Sequence, residues 1–441
     1  MTRTTKLLLL LTAVIAAGFA ALFGGALRET QSAASAEIAQ AEQQVEDFQA
    51  GFKLNASTAE LVQALQAKLG VDQKDERAWL LLGLAYQQRA RETGDPTYYS
   101  KSEGSLRRAL ALDPKDSFVY SGLGSLALSR HRFEDALRLG EEAHRLAPTI
   151  ARHYGVTGDA LIELGRYPQA FHEFDVMNRL LPDLSSYARV SYGRELRGDT
   201  AGAIKSMRLA IDAATGAREP TAWTHVQLGK LYYNHGRYAD ALREFRLANR
   251  LFPSYAYGLD AQAQAEWALG RTPAAIALER EAVDLIPLPQ YVAFLGDLYT
   301  VTGHRVLARR EYSLIGAIER LLRANGVRVD LEIALFDVDH GIRLRRALAL
   351  ARSGRAARPS IDGDDVLAWA LARTGQCDKA LRYSRHALRL GTQDALKFFH
   401  RGMIERCLGH RVEARTWFRR AIALNPGFSV LWSPVARRYA S

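Results

Sequence analysis

One spacing constrains this chain more than any other feature, because a pattern of small, aromatic and proline residues returns every 34 residues. The stretch GLGSLALSRHRFEDALRLGEEAHRLAP (122–148) aligns without a gap with VTGDALIELGRYPQAFHEFDVMNRLLP (156–182). The matched pairs are Gly124 and Gly158, Phe133 and Tyr167, Ala136 and Ala170, and Pro148 and Pro182. A fixed period of this length predicts stacked copies of one small supersecondary unit.

The same pattern returns further along the chain. AWTHVQLGKLYYNHGRYADALREFRLANRLFP (222–253) begins another copy, and a further copy follows it directly. The residues that repeat the pattern are Gly229, Tyr238, Ala241 and Pro253, then Ala263, Ala275 and Pro287, and near the end Gly402, Gly409, Ala414, Phe418, Ala421 and Pro426. Several copies in one register are not an accident of composition.

Each recurring residue type has a physical role in a pair of antiparallel helices. A small residue in the first helix lets the two helices approach closely, and a proline ends the second helix. Turn glycines accept positive φ at a helix C-terminus; these are expected at Gly165, Gly236, Gly270 and Gly409. Burial at the helix crossing is expected for Ala136, Ala170, Ala241 and Ala414.

The pattern resembles the tetratricopeptide repeat, a helix–turn–helix unit, over about residues 76–427. The resemblance implies an all-α, right-handed superhelical solenoid of about ten units. The unit at 185–216 lacks a closing proline, and the one at 330–360 departs furthest from the pattern. The predicted units are 76–116, 117–150, 151–184, 185–216, 222–255, 256–289, 290–325, 330–360, 361–391 and 395–427. Helical caps are predicted at residues 37–75, where Ser57 and Glu60 fit a capping box, and at 428–441.

The N-terminus carries an apolar stretch long enough to span a bilayer. Arg3 and Lys6 precede residues 7–27, LLLLLTAVIAAGFAALFGGAL. About 20 apolar residues can cross a membrane, whereas cleaved signals usually hold about 7–15. Small residues at 24–26 and 34–36 also fit a peptidase site. Residues 1–36 are therefore interpreted as a signal peptide or an uncleaved anchor, with the rest exported to the periplasm or cell surface, as in exported bacterial members of the family. A mature N-terminus near residue 27 or 37 would rule out the anchor.

Charge and cysteine content give weaker constraints. The net charge is +11, but only ten of the 59 basic residues are lysine and acidic residues are interleaved with them. No basic run with stacking aromatics occurs, so nucleic-acid binding is not predicted. The two cysteines, Cys377 and Cys407, lie 30 residues apart in adjacent units, and that spacing leaves their pairing open.

Known catalytic motifs are missing from the sequence. It holds no Walker motif and no G-x-S-x-G, and GLGSLA lacks the third glycine of a dinucleotide site. No cofactor or small-molecule substrate is therefore expected. The turn histidines are interpreted as solvated caps, and they are His131, His235, His304 and His410. The best candidate for metal or acid–base chemistry is FDVDHG, which brings together Asp337, Asp339 and His340, although such residues ordinarily cap helices at a turn.

A candidate protein-binding groove lies on the concave side of the predicted solenoid. Aromatic anchors mixed with a few polar groups suit capture of a peptide or protein segment. The predicted groove residues are Trp223, Val226, Lys230, Tyr233, Asn234, Tyr257, Asp260, Gln264, Trp267 and Asp297. The alternative for Trp223 and Trp267 is packing between units. Lys230 and Asn234 resemble the carboxylate-clamping pair of some family members, but their spacing does not match.

These observations favour a non-catalytic scaffold or adaptor outside the cytoplasm that binds a protein partner. One alternative is an envelope assembly factor for polysaccharide or metalloenzyme components. Another is a metal protein or enzyme that uses residues 337–340. The sequence leaves open the identity of the partner, the oligomeric state and the pathway.

Overall fold

The computed structural model describes residues 57–214 and 218–441. Within these two ranges the chain is entirely helical, with 22 helices and no strand. The predicted signal or anchor and residues 37–56 of the predicted cap lie outside the described residues. Among the helices in these ranges, none combines the length and the apolar character needed to cross a membrane.

The helices follow one another with short connections. They are α1 (Thr58–Val71), α2 (Glu76–Thr93), α3 (Thr97–Leu112), α4 (Ser117–Ser129), α5 (Phe133–Leu146), α6 (Ala151–Glu163), α7 (Tyr167–Leu180), α8 (Leu184–Leu196), α9 (Thr200–Asp212), α10 (Arg218–Asn234), α11 (Tyr238–Leu251), α12 (Ala256–Ala268), α13 (Thr272–Leu285), α14 (Pro289–Val301), α15 (Arg305–Ala324), α16 (Asp330–Asp339), α17 (Leu344–Ala357), α18 (Ile361–Arg373), α19 (Cys377–Ala387), α20 (Ala395–Cys407), α21 (Arg411–Leu424) and α22 (Ser433–Ala440).

Consecutive helices pair into ten hairpins, from α2 with α3 to α20 with α21, and α1 and α22 flank the array. Each hairpin packs against the next, so the predicted all-α solenoid of about ten units is confirmed. We call the connection inside a hairpin its turn and the connection between hairpins a linker. The predicted capping box is present at the start of α1, where Ser57 and Glu60 each accept from the backbone N–H of the other.

Close helix approach explains the small residues of the repeat. A Cβ added to Gly158 would lie 2.5 Å from the ring of Phe174, and one added to Gly229 would lie 2.3 Å from the ring of Phe245. The second helix therefore seats an aromatic ring directly on the backbone of the first. The four alanines expected at the helix crossings are all buried, which confirms that prediction; they are Ala136, Ala170, Ala241 and Ala414.

The turns adopt the backbone conformation that their glycines predict. All four predicted turn glycines have positive φ, between 69° at Gly165 and 83° at Gly409. In the hairpin of α4 and α5 a histidine takes this place, because His131 has φ 55°. A non-glycine residue in this region is strained, and it persists only where its surroundings hold it.

Several hairpins contain a helix longer than the usual 13 or 14 residues. In the first hairpin α2 has 18 residues, where α4 has 13. In the fifth hairpin α10 has 17 residues, and in the seventh α15 has 20. Extra residues thus extend helices and leave the stacking of hairpins unchanged.

The solenoid closes on itself along a line of contacts that we call the seam. Four turns of hairpins two to five meet four linkers further along the chain, and the bonded residues are 187–198 positions apart. With a 34-residue unit, the chain therefore returns to its starting side after five to six units. The seam joins turns at 130–131, 164–167, 196–198 and 233–238 to linkers at 326–330, 358–361, 391–392 and 425–427.

Buried polar groups hold the centre of the seam. The Arg358 guanidinium donates to both carboxylate oxygens of Glu163, and both residues are buried. The Tyr167 hydroxyl accepts a 2.7 Å hydrogen bond from the backbone N–H of Ile361. The guanidinium of Arg358 also lies 5.8 Å from the ring centre of Phe133. Removing one partner of this buried ion pair would leave the other as an uncompensated buried charge, so the two residues depend on the closed coil together.

The first rung of the seam corrects one prediction. His131 is buried, and its Nδ1 lies 2.6 Å from the carbonyl oxygen of Arg328. Because a carbonyl only accepts, Nδ1 carries the proton in this bond. The backbone N–H of Arg328 in turn donates to the carbonyl of Arg130 at 3.2 Å. His131 is therefore a seam residue, whereas the sequence suggested a solvated cap.

The later turns form an open edge that we call the rim. A Cβ at Gly303, Gly375 or Gly409 would meet no atom within 4 Å, whereas one at Gly165 would lie 2.4 Å from the carbonyl oxygen of Pro359. The rim comprises the turns at 269–272, 301–307, 340–344, 374–377 and 407–412. The same structural position is thus covered in the first half of the chain and open in the second.

The pairing of the two cysteines, which their spacing left open, is a disulfide. Cys377 begins α19 and Cys407 ends α20, with Cα atoms 6.0 Å apart. The bond joins the ninth and tenth hairpins at the rim, and it restricts the conformations of the unfolded chain between them.

We expect a methyl group at Gly165 to open the seam. Gly165→Ala and Gly375→Ala share the same backbone strain, since their φ angles are 69° and 79°, worth about 1–3 kcal/mol each. Only Gly165→Ala also displaces a facing linker. Urea unfolding should therefore show a further loss of roughly 2 kcal/mol for Gly165→Ala, and small-angle scattering a larger radius of gyration. Equal losses and equal radii would contradict the seam.

Candidate binding surface on the inner face

The inner face is the surface that the consecutive first helices α8, α10 and α12 share on the concave side of the coil. Most of the predicted groove residues are half-buried there. These residues are Trp223, Lys230, Asn234, Tyr257, Gln264 and Trp267, and Asp297 of α14 is half-buried as well. None of the predicted groove residues is fully exposed. Less of their side-chain surface is therefore accessible to a partner than the sequence suggested.

Three of the predicted residues have other environments. Val226 is fully buried in the apolar core, which corrects its assignment to the groove, because the neighbouring hairpins enclose that side of α10. Tyr233 is buried and donates a 2.8 Å hydrogen bond to the carbonyl of Gly427, so it belongs to the seam. Asp297 accepts from the Tyr312 hydroxyl at 2.7 Å and contacts His340 at 2.8 Å. These contacts occupy its carboxylate.

Charges of both signs converge around Lys230. Its electrostatic neighbours are Glu195 on α8 and Asp260 on α12, and burial lowers the pKa of its ammonium. Burial raises the pKa of Glu195 to about 7 and that of Asp260 to about 6, despite the favourable effect of Lys230 on both. Among the described residues Lys230 forms no ion pair within 4.0 Å. Its ammonium therefore has hydrogen-bonding capacity left for a bound group.

Amide side chains hold the two flanking carboxylates. The Asn234 amide donates to Glu195 at 3.4 Å, and the Gln264 amide donates to Asp260 at 3.0 Å. Asn234 lies one helical turn after Lys230, and Gln264 lies one turn after Asp260. The polar groups of the inner face are thus oriented before any ligand arrives, which lowers the entropy lost on binding.

A buried carboxyl group lies near this charged set. Glu279 on α13 is fully buried, and neither of its carboxyl oxygens has a hydrogen-bond partner in the described part of the chain. Burial, and to a lesser degree the charge of Asp260, raise its pKa well above the ordinary value. The surroundings of Glu279 therefore favour the uncharged form of its carboxyl group.

Tyrosine rings border the charged set on its C-terminal side. The ring centres of Tyr255 and Tyr257 lie 5.3 Å apart, and those of Tyr257 and Tyr291 lie 6.4 Å apart at a steep angle. The Tyr255 hydroxyl donates to Glu219 at 3.0 Å. Tyr255 and Tyr291 are buried in the apolar core, so Tyr257, which is half-buried, is the ring of this group that a bound segment can contact.

The candidate metal residues do not converge. Asp337 is fully buried and pairs with Arg343 and Arg346. Asp339 accepts hydrogen bonds from two indole N–H groups, those of Trp369 at 2.8 Å and Trp432 at 2.9 Å.

The third candidate, His340, turns toward Asp297. The FDVDHG stretch thus sends its three polar side chains to three different neighbours. Over residues 57–214 and 218–441, no three His, Cys, Asp or Glu side chains form a group that could hold a metal ion.

Comparison with known proteins places the repeat in a family. A family model described as "Tetratricopeptide repeat" matches residues 226–288, which run from α10 into the linker after α13. Tetratricopeptide repeat protein 36 of Mus musculus is 35% identical over 95 residues, or 21% of this chain and 51% of that protein. Its Homo sapiens counterpart is 34% identical over 95 residues, or 21% and 50%. These matches, together with the array of helical hairpins, support membership of the tetratricopeptide-repeat superfamily.

The matches remain partial. The chain spans about half the length of the curated relatives it matches. A solved thermophilic tetratricopeptide-repeat protein of Thermus thermophilus is 23% identical over 44% of this chain and 98% of that one, with a TM-score of 0.38. The APC/C hetero-tetramer Cut9–Hcn1 matches at 15% identity over 86% of this chain and 81% of that one, also with a TM-score of 0.38. Both TM-scores lie below 0.5, so neither structure bears on how the hairpins of this chain are arranged.

The repeat pattern did not predict which residues form the seam. The first residue of a second helix is aromatic in three of the four seam turns, namely Phe133, Tyr167 and Tyr238. In the rim turns this position holds Thr272, Arg305, Leu344, Cys377 and Arg411. The sequence therefore carries a signal for the seam: the aromatic appears where a linker covers the turn. From the repeat pattern alone, this aromatic residue is predicted only as part of the repeat signature.

We expect Glu279→Gln to change how stability depends on pH. A carboxyl whose folded pKa exceeds its unfolded value stabilises the fold below the unfolded pKa, and this contribution disappears as the pH rises through the folded pKa. Glutamine cannot ionise, so the stability of the variant relative to the native chain should increase by about 1 kcal/mol or more between pH 5 and pH 8. Thermal unfolding at both pH values measures this change. Glu281→Gln on the exposed side of the same helix should leave the difference unchanged, and a parallel pH profile for Glu279→Gln would contradict a neutral Glu279.

Proposed function

We propose that this protein is a non-catalytic protein-interaction scaffold that holds an extended segment of a partner protein on its inner face. The observation that carries the proposal is the free ammonium of Lys230 between two oriented carboxylates, with tyrosine rings beside them. Tetratricopeptide repeats support this assignment, because stacked hairpins form an extended concave surface suited to binding.

The partner region is an extended segment and not a folded domain. None of the predicted groove residues is fully exposed, so a flat protein surface cannot reach them all, whereas a single chain can lie between the helices. The binding group nearest Lys230 is an acidic side chain or a backbone carbonyl, because an ammonium only donates hydrogen bonds. Its tyrosine neighbours favour an apolar or aromatic side chain next to that group.

The proposal extends to the cellular location of the protein. We infer that the repeat array works outside the cytoplasm, and that the apolar stretch at residues 7–27 delivers it there. The disulfide between Cys377 and Cys407 supports this location, because disulfides persist mainly in oxidising compartments. The partner is then another exported protein or an exposed segment of a membrane protein.

Site-specific crosslinking in the native host tests the inner face. A photoreactive benzoylphenylalanine at Trp223 should capture a discrete partner, whereas the same group at Arg243, on the exposed side of α11, should not. Lys230→Met removes the ammonium and keeps the length of the side chain, so capture at position 223 should fall at least tenfold. Tenfold corresponds to about 1.4 kcal/mol, which is within the range of a charge-assisted hydrogen bond.

A matched control separates binding from charge in general. Lys205→Met changes an exposed lysine on α9 and should leave capture at position 223 unchanged. Equal capture at positions 223 and 243, or equal capture with and without the Lys230 ammonium, would overturn the proposal. Circular dichroism of each variant confirms that the hairpins remain folded.

A further inference from the structure

Two of the rim turns, at 301–307 and 407–412, expose large apolar side chains. Val306 is 72% exposed at the start of α15, and Val412 is 74% exposed at the start of α21. Val301, at the end of α14, is 51% exposed. Single exposed apolar residues are common on protein surfaces. These residues differ because they follow one another along the same edge of the solenoid, in turns that nothing else in the described chain covers.

Two rim turns share one sequence. GHRVLAR at 303–309 and GHRVEAR at 409–415 differ at a single position. Each places an arginine directly before the exposed valine and another three residues after it, one helical turn along. In the seam turns the corresponding stretches are HRFEDA at 131–136 and GRYADA at 236–241. The valine with its flanking arginines thus occurs in two of the five rim turns and in neither of these seam turns.

Three rim arginines form no ion pair within the described part of the chain, as is also true of exposed arginines elsewhere such as Arg108 and Arg250. Arg305, Arg411 and Arg415 are exposed and form no ion pair with any carboxylate of the described residues. Elsewhere on the surface, Arg145 pairs with Glu142 and Arg243 pairs with Asp240. Unpaired guanidinium groups beside exposed valines leave the rim both positively charged and apolar.

We propose that the rim docks on the surface of an anionic lipid bilayer. The valines enter the boundary between headgroups and acyl chains, and the arginines donate hydrogen bonds to lipid phosphates. Each arginine near an anionic membrane strengthens binding roughly fivefold. The rim valines and arginines are different residues from Lys230 and its charged neighbours, so lipid contact at the rim does not use the groups proposed to hold a partner.

A second copy of the chain is the competing occupant, and the seam argues against it. A second copy would extend the coil only by covering the rim turns with its linkers. In the seam such covering relies on Tyr167 and Tyr238, whose hydroxyl groups bond the facing linkers. The rim has Arg305 and Arg411 at these positions, and an arginine in place of the ring cannot reproduce that contact.

Hydrogen exchange of the full-length protein tests the proposal locally, so membrane contact through residues 7–27 does not obscure the result. Peptides covering 301–309 and 409–415 should exchange at least about fivefold more slowly with vesicles of phosphatidylglycerol and phosphatidylcholine than with phosphatidylcholine alone. The peptide at 71–76, where Val71 is exposed on the opposite edge, should show no change. The double variant Arg305→Glu with Arg411→Glu should bind these vesicles ~25-fold more weakly or worse, from the two lost attractions, and should lose the protection.

The remaining outcomes overturn the proposal. Equal protection by both vesicle types would mean that charge plays no part. Protection that rises with protein concentration without vesicles would assign the rim to a second copy of the chain. Absence of protection would mean that the rim does not touch lipid. Glu142→Gln, which frees Arg145 on the far surface, controls for a general effect of unpaired arginines and should not create protection near residue 145.

Discussion

The structure depends on the close crossing of the two helices in each hairpin. Where Gly158 meets Phe174 and Gly229 meets Phe245, there is no room for a Cβ. This approach fixes how far each hairpin turns relative to the next, because packed helices interlock at preferred angles. Repetition of one angle makes a coil, and a coil with five to six units per turn brings residue 163 beside residue 358. The seam is therefore a consequence of local packing repeated many times.

Closure of the coil gives chemically similar positions different environments. The first residue of a second helix is buried at Phe133 and Tyr167, where a linker covers the turn, and exposed at Arg305 and Arg411 on the rim. Tyrosine and arginine are each suited to one of these environments. Tyr167 offers its hydroxyl to a backbone N–H of the facing linker, whereas Arg305 and Arg411 keep their charges in solvent. The residue found at this position of the repeat therefore depends on whether a linker covers the turn.

Burial of charge is the other result of closure. Glu163, Glu195 and Asp260 all have raised pKa values, because few waters reach them. Arg358 compensates Glu163 directly, and the two form a bond across the seam. Lys230 lies near Glu195 and Asp260 without a close contact to either, so its compensation is incomplete. That difference separates a structural ion pair from a candidate binding group.

The helical hairpin and its 34-residue period follow from residues that act within one unit of the sequence. Gly165, Ala170 and Pro182 act within one unit, where a positive φ, a close crossing and a helix end depend only on neighbouring residues. For this reason the helical solenoid and its turns were predictable. The groove residues could be placed on the first helices for the same reason, but their exposure could not.

Tertiary structure alone decided which surfaces stay open. His131, Val226 and Tyr233 differ from their predicted environments because each contacts or lies among residues brought close only when hairpins stack or the coil closes. The hydrogen bonds across the seam join residues 187–198 positions apart, and no pattern within one 34-residue unit specifies them. Closure depends on the sum of many small rotations, so only the assembled coil shows where the chain meets itself.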